Sequence, residues 1–390
     1  MKNFLSVERA LRTAAPHALL DAVRSALAAH YGAHAVDLLM ADYSQSVLQQ
    51  VTTLPHTAAA VSVHSSAQGR AFGSQEPVEE RPEGGELVDL HLPVTVRGDR
   101  LGVLTVRLPP ADCTPVAVRD LADIAELMGH EILVAERDTD VYVQARRVNR
   151  LTLAAEMQWQ LLPARSCARA EYSIGAQLEP AYAIHGDNFD WASAAQTLTL
   201  TITNGMGEGI DASLLTNLAV NALRNARRAG IGIADQAALA DQALYTEHGG
   251  NAHVSTLLLC FDLATGQVQV VDAGSPQLWR QRDKTVERIP FEAQLPLGMF
   301  DQTDYVVQEF RVLPGDRLVF VSDGVYAAAS PAGVAYEEQA LARAIGAATM
   351  LPAADVPGAV LRELSEYRDA DADDDALVVC LDWHGRSNPV

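Results

Sequence analysis

The sequence has little cysteine, few basic residues and no long apolar run. Its cysteines are isolated, without any C-x-x-C pair, which excludes a disulfide framework and a cysteine-based zinc site; they are Cys113, Cys167, Cys260 and Cys380. The 29 Lys and Arg residues stand against 50 Asp and Glu residues, so the net charge is −21. A surface of this charge repels nucleic acid and anionic membranes, and we expect neither as a partner.

The absence of apolar runs also bounds the location of the protein. No run reaches the roughly 20 residues of a membrane span, and the first residues, MKNFLSVERALR, lack a signal-peptide core. We therefore expect a cytoplasmic protein. Hydrophobic residues make up 48% of 390 positions, so the chain can bury a sizeable core, and its length predicts two or three domains.

The first half alternates helical and strand patterns. Residues 7–30 have the apolar stripe of a helix, interrupted near Pro16, and the polar Gly- and Pro-rich stretch 68–86 predicts a loop. Further predicted elements are strands Ala35–Met40 and Ser46–Val51, a hairpin of Leu87–Val96 and Leu101–Leu108, and a helix Pro115–Arg137. This order of elements resembles a GAF domain, a family whose members sense small ligands or only dimerise.

Residues 126–162 are predicted to form one continuous helix between the two halves. Apolar residues recur every seven positions, at Leu127, Val134, Val141, Val148, Ala155 and Leu162. The partner heptad positions are mostly polar, which weakens a coiled-coil seam. Two alternatives stay open: a helical stalk that dimerises the protein, or a single helix packed on its own domains.

The second half predicts an α+β domain organised around the stretch His185–Asp211. The stretch opens with Asp187 and Asp190, continues into a strand of alternating apolar and Thr residues, and ends in the glycine-rich turn Asn204–Gly209. A turn this rich in glycine lets the backbone approach a neighbour closely or adopt positive φ.

Acidic residues stand at three predicted strand ends. Asp187 and Asp190 precede one strand, Asp323 follows the strand at 318–322, and five aspartates in 369–375 precede the last strand. Carboxylates gathered by a sheet form the hard oxygen site that Mg²⁺ or Mn²⁺ prefers. Two such ions about 3.5–4 Å apart can hold a hydroxide for in-line attack on phosphorus. Taken alone, the run 369–375 also fits a solvated acidic loop.

Short motifs of the second half follow one another in a characteristic order. In chain order they are EMQWQLLP (156–163), PA (180–181), GD (186–187), the glycine turn, DAG (272–274), LPLG (295–298), PGD (314–316), SDGV (322–325) and the final aspartates. This order resembles the metal-dependent protein serine/threonine phosphatases of the PPM class. The bacterial branch it resembles includes stage II sporulation protein E (SpoIIE) and the sigma-regulator phosphatases of the RsbU type. The resemblance covers about 155–385.

The resemblance implies a fold, a reaction and a partner. The fold would be a β-sandwich flanked by helix pairs, with a dinuclear Mn²⁺ or Mg²⁺ site between the sheets. The domains would be a GAF-like sensory or dimerisation domain (1–138), a helical linker (139–165) and a phosphatase domain (166–390). Metal-activated water would hydrolyse phosphoserine or phosphothreonine on a protein partner of the anti-sigma-antagonist type. The GAF-like domain would regulate this reaction, and that domain and the linker could form a homodimer.

The family's metal aspartates can be carried over to this sequence residue by residue. Asp187 and Asp323 fall on two of them and would act on the substrate through metal-bound water. The first Asp of the family's Asp-Asp-x-Thr motif falls on Asp373, with Asp374 as the alternative register.

The family's metal-bridging aspartate falls on Asn204. The next residue, Gly205, would supply its backbone carbonyl as a ligand. An amide offers a neutral oxygen instead of a bridging carboxylate, and the lost charge should weaken a pair of dications. A fully active site would hold two ions, and this site could hold one or none. The alternative function is therefore a catalytically impaired pseudo-phosphatase that acts as a binding or regulatory module. Glu208 and Ser275 also depart from the family's usual residues.

Overall fold

The computed structural model describes residues 2–51, 60–82, 84–183, 186–368 and 374–386. The chain divides into two compact units, Met1–Arg150 and Leu151–Val390. This division falls inside the predicted linker at 139–165. No helix within the described ranges combines the length and apolarity that crossing a membrane requires.

The N-terminal unit combines one antiparallel sheet with helices. Its strands are β1 (Ala35–Ala41), β2 (Val47–Gln50), β3 (Val61–Ser62), β4 (Val78–Glu80), β5 (Val88–Val96) and β6 (Asp99–Leu108), in the sheet order β3-β2-β1-β6-β5-β4. Its helices are α1 (Lys2–Thr13), α2 (Leu19–Tyr31), α3 (Ala67–Ser74), α4 (Pro115–Ala135) and α5 (Val141–Ala145), with a 3₁₀ turn at Pro16–Ala18.

The main core of this unit lies between one face of the sheet and helices α1, α2, α4 and α5. Alternate residues of β5, such as Leu90 and Leu92, point into it, as the period of two in a strand requires. The predicted hairpin is confirmed: β5 and β6 pair across the turn Arg97-Gly98, and both turn residues have positive φ.

The predicted loop at 68–86 is partly wrong, because α3 and β4 lie within it. The side chain of Ser66 caps α3 by accepting a hydrogen bond from the Gly69 amide at 2.8 Å. A Cβ at Gly69 would lie 2.0 Å from the Val63 carbonyl oxygen, so glycine here permits close packing. Phe72 is buried between α3 and the second face of the sheet. Burial of Phe72 and capping by Ser66 thus stabilise a helix in a stretch whose composition is typical of a loop.

The predicted continuous helix at 126–162 is wrong. Helix α4 ends at Ala135, and the next helices are the short α5 and then α6 (Leu153–Leu161). Tyr142 of α5 is fully buried, and its hydroxyl donates to the Pro16 carbonyl at 2.9 Å. Two of the predicted heptad residues, Val134 and Val148, are exposed. The chain after α4 therefore packs back on the N-terminal unit, where Tyr142 is fully buried.

The C-terminal unit contains two antiparallel sheets. Its strands are β7 (Ser166–Ala168), β8 (Tyr172–Glu179), β9 (Asn188–Ser193), β10 (Thr197–Gly205), β11 (Val254–Asp262), β12 (Gln267–Ala273), β13 (Gln277–Arg282), β14 (Thr285–Ile289), β15 (Gln308–Arg311), β16 (Arg317–Val321) and β17 (Ala376–Trp383). One sheet has the order β15-β12-β11-β10-β9, and the other has the order β14-β13-β16-β17-β8-β7.

Helices cover both sheets of this unit. Besides α6 they are α7 (Gly209–Arg228), α8 (Ile233–His248), α9 (Asp323–Tyr326), α10 (Tyr336–Gln339), α11 (Leu341–Ala347) and α12 (Val356–Arg368), with a 3₁₀ turn at Ala348–Met350. Helices α7 and α8 pack on the five-stranded sheet, and α10 to α12 pack on the six-stranded sheet. Phe261 and Trp383 stack at 5.9 Å between ring centroids and join the two sheets. The alternating strand predicted before the glycine turn is confirmed as β10.

Candidate metal centre

The antiparallel pairing brings the predicted site residues to matching ends of the two sheets. Asp187 directly precedes β9, and Asn204 lies near the end of its partner β10. Asp323 follows β16, and Asp374 precedes the partner strand β17. In an antiparallel pair, the end of one strand lies beside the start of the next. Each pair of residues is therefore gathered by strand pairing, and hydrogen bonds then link the two pairs.

Asp375 holds the first loop of the site in place. Its Oδ2 accepts hydrogen bonds from the Gly186 amide at 2.8 Å and the Asp187 amide at 3.1 Å. Asp375 is only 1% exposed, so these contacts satisfy a buried carboxylate. The preceding residue, Asp374, belongs to the described site, whereas the first predicted register, Asp373, lies outside the described residues.

Glycines allow the backbones of the site to approach one another. The Gly205 amide donates to the Gly186 carbonyl at 3.2 Å, and the Thr216 hydroxyl donates to the same oxygen at 2.7 Å. A Cβ on Gly205 would lie 2.3 Å from that hydroxyl, and one on Gly324 would lie 2.0 Å from the Asp375 carbonyl. These positions therefore require glycine for steric reasons.

Asn204 joins the two halves of the site. Its Nδ2 donates to Asp323 Oδ1 and to Ser275 Oγ, each at 2.8 Å. Its Oδ1 is buried and has no hydrogen-bond partner within the described chain, and the same holds for Asp187 Oδ2. Two buried, unpartnered oxygens at one site are unusual in a folded protein and suit a bound cation or ordered water.

The carboxylates of the site disfavour one another's ionisation. Burial raises the pKa of Asp187 well above its usual range, and the nearby charge of Asp375 adds to the rise. The pKa of Asp323 is raised by burial and then by the charge of Asp374, while the hydrogen bond from Asn204 opposes the rise. A cation would relieve this repulsion. Nevertheless, no three His, Cys, Asp or Glu side chains of the described ranges converge closely enough to form a ready metal cluster.

Asp190, predicted beside Asp187 as part of an acidic cluster, has a structural role instead. Its two oxygens accept hydrogen bonds from Arg224 at 2.6 Å and from Arg227 at 2.8 Å. Arg224 also donates to the Leu161 carbonyl at 2.7 Å. Asp190 thus fixes the end of α7 to β9 and α6, and these arginines neutralise its charge. Glu208 is exposed, directly before α7.

Sequence reasoning gave no role to two titratable residues near Ser275, the hydrogen-bond partner of Asn204. Burial raises the pKa of Asp272 to about 6, although its carboxylate accepts a hydrogen bond from the Gly274 amide. Burial also raises the pKa of Tyr326 to about 12, while a hydrogen bond with Ser275 lowers it. The DAG motif was visible in the sequence, but only the folded chain brings Ser275, which directly follows it, within hydrogen-bond distance of Asn204.

Comparison with known proteins identifies the C-terminal unit. Residues 194–384 match the family model of stage II sporulation protein E (SpoIIE). Phosphoserine phosphatase RsbU of Bacillus subtilis is 22% identical over 204 residues, 52% of this chain and 61% of that one. Protein IcfG of Synechocystis sp. is 22% identical over 214 residues, 47% of this chain and 34% of that one. The chain thus spans between one third and three fifths of the length of these curated relatives.

A solved structure shares the fold. The SiaA-PP2C domain of Pseudomonas aeruginosa has a TM-score of 0.50 and 19% identity, and the match covers 60% of this chain and 94% of that domain. The match in sequence, the likeness in fold and the order of the motifs agree with one another. Residues 194–384 of the C-terminal unit therefore form a SpoIIE-type domain of the PPM, or PP2C-type, phosphatases.

Proposed function

We propose that this protein is a metal-dependent phosphatase that acts on phosphoserine or phosphothreonine of a signalling partner. The observation that carries the proposal is the placement of Asp187, Asp323 and Asp374 at matching ends of the two sheets. Burial raises the pKa of Asp187 well above its usual range, and the charges of nearby carboxylates, including Asp323 and Asp374, add to the rise. Groups with strongly shifted pKa values gather at functional sites more often than elsewhere. Membership of the SpoIIE branch supports the same reaction.

The oxygens of this cluster suit a divalent cation, Mn²⁺ or Mg²⁺. Asp187, Asp323 and Asp374 would hold it, together with Asn204 Oδ1 and the backbone carbonyl of Gly205. Such an ion, when bound, supplies activated water for attack on phosphorus. The chain itself positions the ligands, because Asp375 fixes the backbone of Asp187 through two hydrogen bonds. One ion suits the site better than two, because a neutral amide replaces the bridging carboxylate.

A pseudo-phosphatase is the second candidate, and one contact favours it. The amide of Asn204 donates to Asp323, so a neutral donor already satisfies part of a carboxylate that a metal would need. In this form the C-terminal unit would bind a phosphoprotein or regulator without hydrolysing it.

We expect the layers of the C-terminal unit, the N-terminal unit and the partner to follow those of the family. The layers of the C-terminal unit would form the helix–sheet–sheet–helix sandwich of the family. The N-terminal unit would be a GAF-like domain that regulates the site or forms a homodimer in the cytoplasm. Its six-stranded antiparallel sheet with helices on both faces supports this assignment. The partner would be a phosphorylated antagonist of an anti-sigma factor.

A hydrolysis assay distinguishes the two candidates. We would measure Mn²⁺-dependent hydrolysis of an aryl phosphate by the wild type, Asp187→Asn and Asn204→Asp. Activity in the wild type that disappears in Asp187→Asn supports the phosphatase. Activity that appears only in Asn204→Asp supports the pseudo-phosphatase and overturns the first proposal.

A further inference from the structure

An exposed basic side chain acts electrostatically on residues near the candidate metal centre. Arg288 lies on β14, the edge strand of the six-stranded sheet, opposite Trp279 of β13. Its side chain is 52% exposed, and its guanidinium is 3.8 Å from the carboxylate of Glu337. An exposed ion pair at this distance is weak. The guanidinium therefore remains available to an incoming anion.

A short series of contacts links Arg288 to the metal centre. Glu337, its ion-pair partner, accepts a hydrogen bond from Gln277 Nε2 at 2.6 Å. Gln277 is two positions after Ser275, whose hydroxyl accepts the hydrogen bond from Asn204. Gln277 donates to the same carboxylate oxygen of Glu337 that lies near Arg288. The ion pair between Glu337 and Arg288 is therefore weak.

The charge of Arg288 acts on residues that border the centre. It lowers the pKa of Asp272 and of Tyr326, against the rise that burial produces in both. Tyr326 is hydrogen-bonded with Ser275, and Asp272 is three positions before Ser275. Arg288 thus supplies positive charge near Asp272 and Tyr326, on the Ser275 side of the centre.

We propose that Arg288 determines substrate specificity by binding an acidic side chain that flanks the phosphorylated serine or threonine. This inference rests on the proposed function. The net charge of −21 repels a phosphorylated, acidic partner at long range, so local positive charge is needed to seat it. A guanidinium presents paired donors that match both oxygens of a carboxylate.

Fluorescence anisotropy with phosphopeptides tests this role in the full-length chain with Mn²⁺. One Asp is moved through the five positions on either side of the phosphoserine, against an all-Ala flank. At one position Asp should tighten binding about fivefold, the size expected of an exposed ion pair. Arg288→Ala should remove this preference, and Arg288→Glu should transfer it to a Lys-flanked peptide.

Arg311→Glu is the matched control. Arg311 is exposed on β15, the edge strand of the other sheet, and pairs with Gln267 at the end of β12 remote from Asp272. The variant makes the same change in net charge and should retain the preference for Asp. Three outcomes would each overturn the inference. They are an equal loss of the Asp preference in Arg288→Glu and Arg311→Glu, an unchanged preference in Arg288→Glu, and no binding of any peptide.

Aryl phosphate hydrolysis, measured in parallel, separates this inference from the proposed function. A small ester has no flanking residue, so Arg288→Ala should lower its kcat/KM by clearly less than the change of about fivefold expected for the Asp-flanked peptide. Hydrolysis without any peptide preference refutes the role of Arg288 alone. An Arg288-dependent preference without hydrolysis refutes the phosphatase but retains the role of Arg288 in binding.

Discussion

Asn204 donates a hydrogen bond to Asp323 across 2.8 Å, at the point where the two sheets of the C-terminal unit meet. The amide thus places partial positive charge beside a carboxylate whose pKa burial has raised. Its second hydrogen goes to Ser275, so both donors are used. The site is therefore stabilised by the chain itself, and a metal ion must compete with these contacts.

Replacing the amide should make the site depend on metal. Asn204→Asp would put a carboxylate against Asp323 and remove both donated hydrogen bonds. In EDTA we expect a loss of about 2 kcal/mol or more of unfolding free energy, because like charges would be buried together. Added Mn²⁺ should recover most of that loss, and it should stabilise the wild type less. Thermal melts with and without Mn²⁺ measure both, and an equal Mn²⁺ response in the two proteins would contradict the prediction.

Without metal, the buried carboxyl group of Asp187 is expected to lower the unfolding free energy of the protein, although it would be a ligand of the bound ion. The folded-state pKa of this buried carboxyl is raised, so its contribution to stability is lost as pH rises through that value. Asp187→Asn cannot ionise, so in EDTA its unfolding free energy should rise relative to that of the wild type by on the order of 1–3 kcal/mol as the pH is raised from 5 to 9. Urea denaturation measures this. A less stable variant would show that the carboxylate is needed for folding even without metal.

Gly324 should not tolerate a side chain. A Cβ there would lie 2.0 Å from the Asp375 carbonyl oxygen, and two hydrogen bonds to Asp375 prevent that residue from moving. We expect Gly324→Ala to cost roughly 3 kcal/mol or more.

The matched control for this substitution is Gly346→Ala in α11. The nearest atom to a Cβ there is 3.8 Å away. The control should change stability by no more than about 1 kcal/mol, and in the stabilising direction, because alanine favours helices. Chemical denaturation of both variants gives the comparison, and similar values would refute the steric argument.

The raised pKa of Asp272 predicts that the difference in stability between the wild type and Asp272→Asn depends on pH. Burial raises its folded-state pKa to about 6 from 3.8. Because the folded pKa is the higher one, its favourable contribution is complete below pH 4 and is lost as pH rises through 6. Asp272→Asn keeps an acceptor for the Gly274 amide but cannot ionise. Between pH 4 and pH 7.5, the unfolding free energy of this variant should therefore rise by roughly 2–3 kcal/mol relative to that of the wild type. Denaturation curves at the two pH values test the slope, and a constant difference would contradict it.

The sequence predicted best those elements that local pattern determines. The alternation of Leu and Thr predicted β10, and the two apolar segments on either side of residues 97–100 predicted the β5–β6 hairpin. Motif order pointed to Asp187, Asp323 and Asp374, and their role as metal ligands stays a prediction. Local pattern failed where tertiary contacts decide the structure. Tyr142 ends the expected long helix by packing near Pro16, a residue 126 positions earlier in the chain.

The chemistry within the site was harder to predict for the same reason. Asp374 and Asp375 are adjacent and identical in type, yet Asp375 holds the backbone of Gly186 and Asp187. The bonds from Asn204 to Ser275 and Asp323 span 71 and 119 positions. No local pattern specifies which of several carboxylates an amide will meet.

The close backbone approaches at Gly205 and Gly324 have a consequence for how such domains evolve. Since these glycines and Asp375 serve packing, selection for a folded protein alone would preserve them after catalysis is lost. A carboxylate at the position of Asn204 has no such protection, because an amide there satisfies its neighbours. The motifs by which the family is recognised are therefore evidence of the fold more than of the reaction. Evidence of the reaction must come from positions such as 204, where packing does not decide between an amide and a carboxylate.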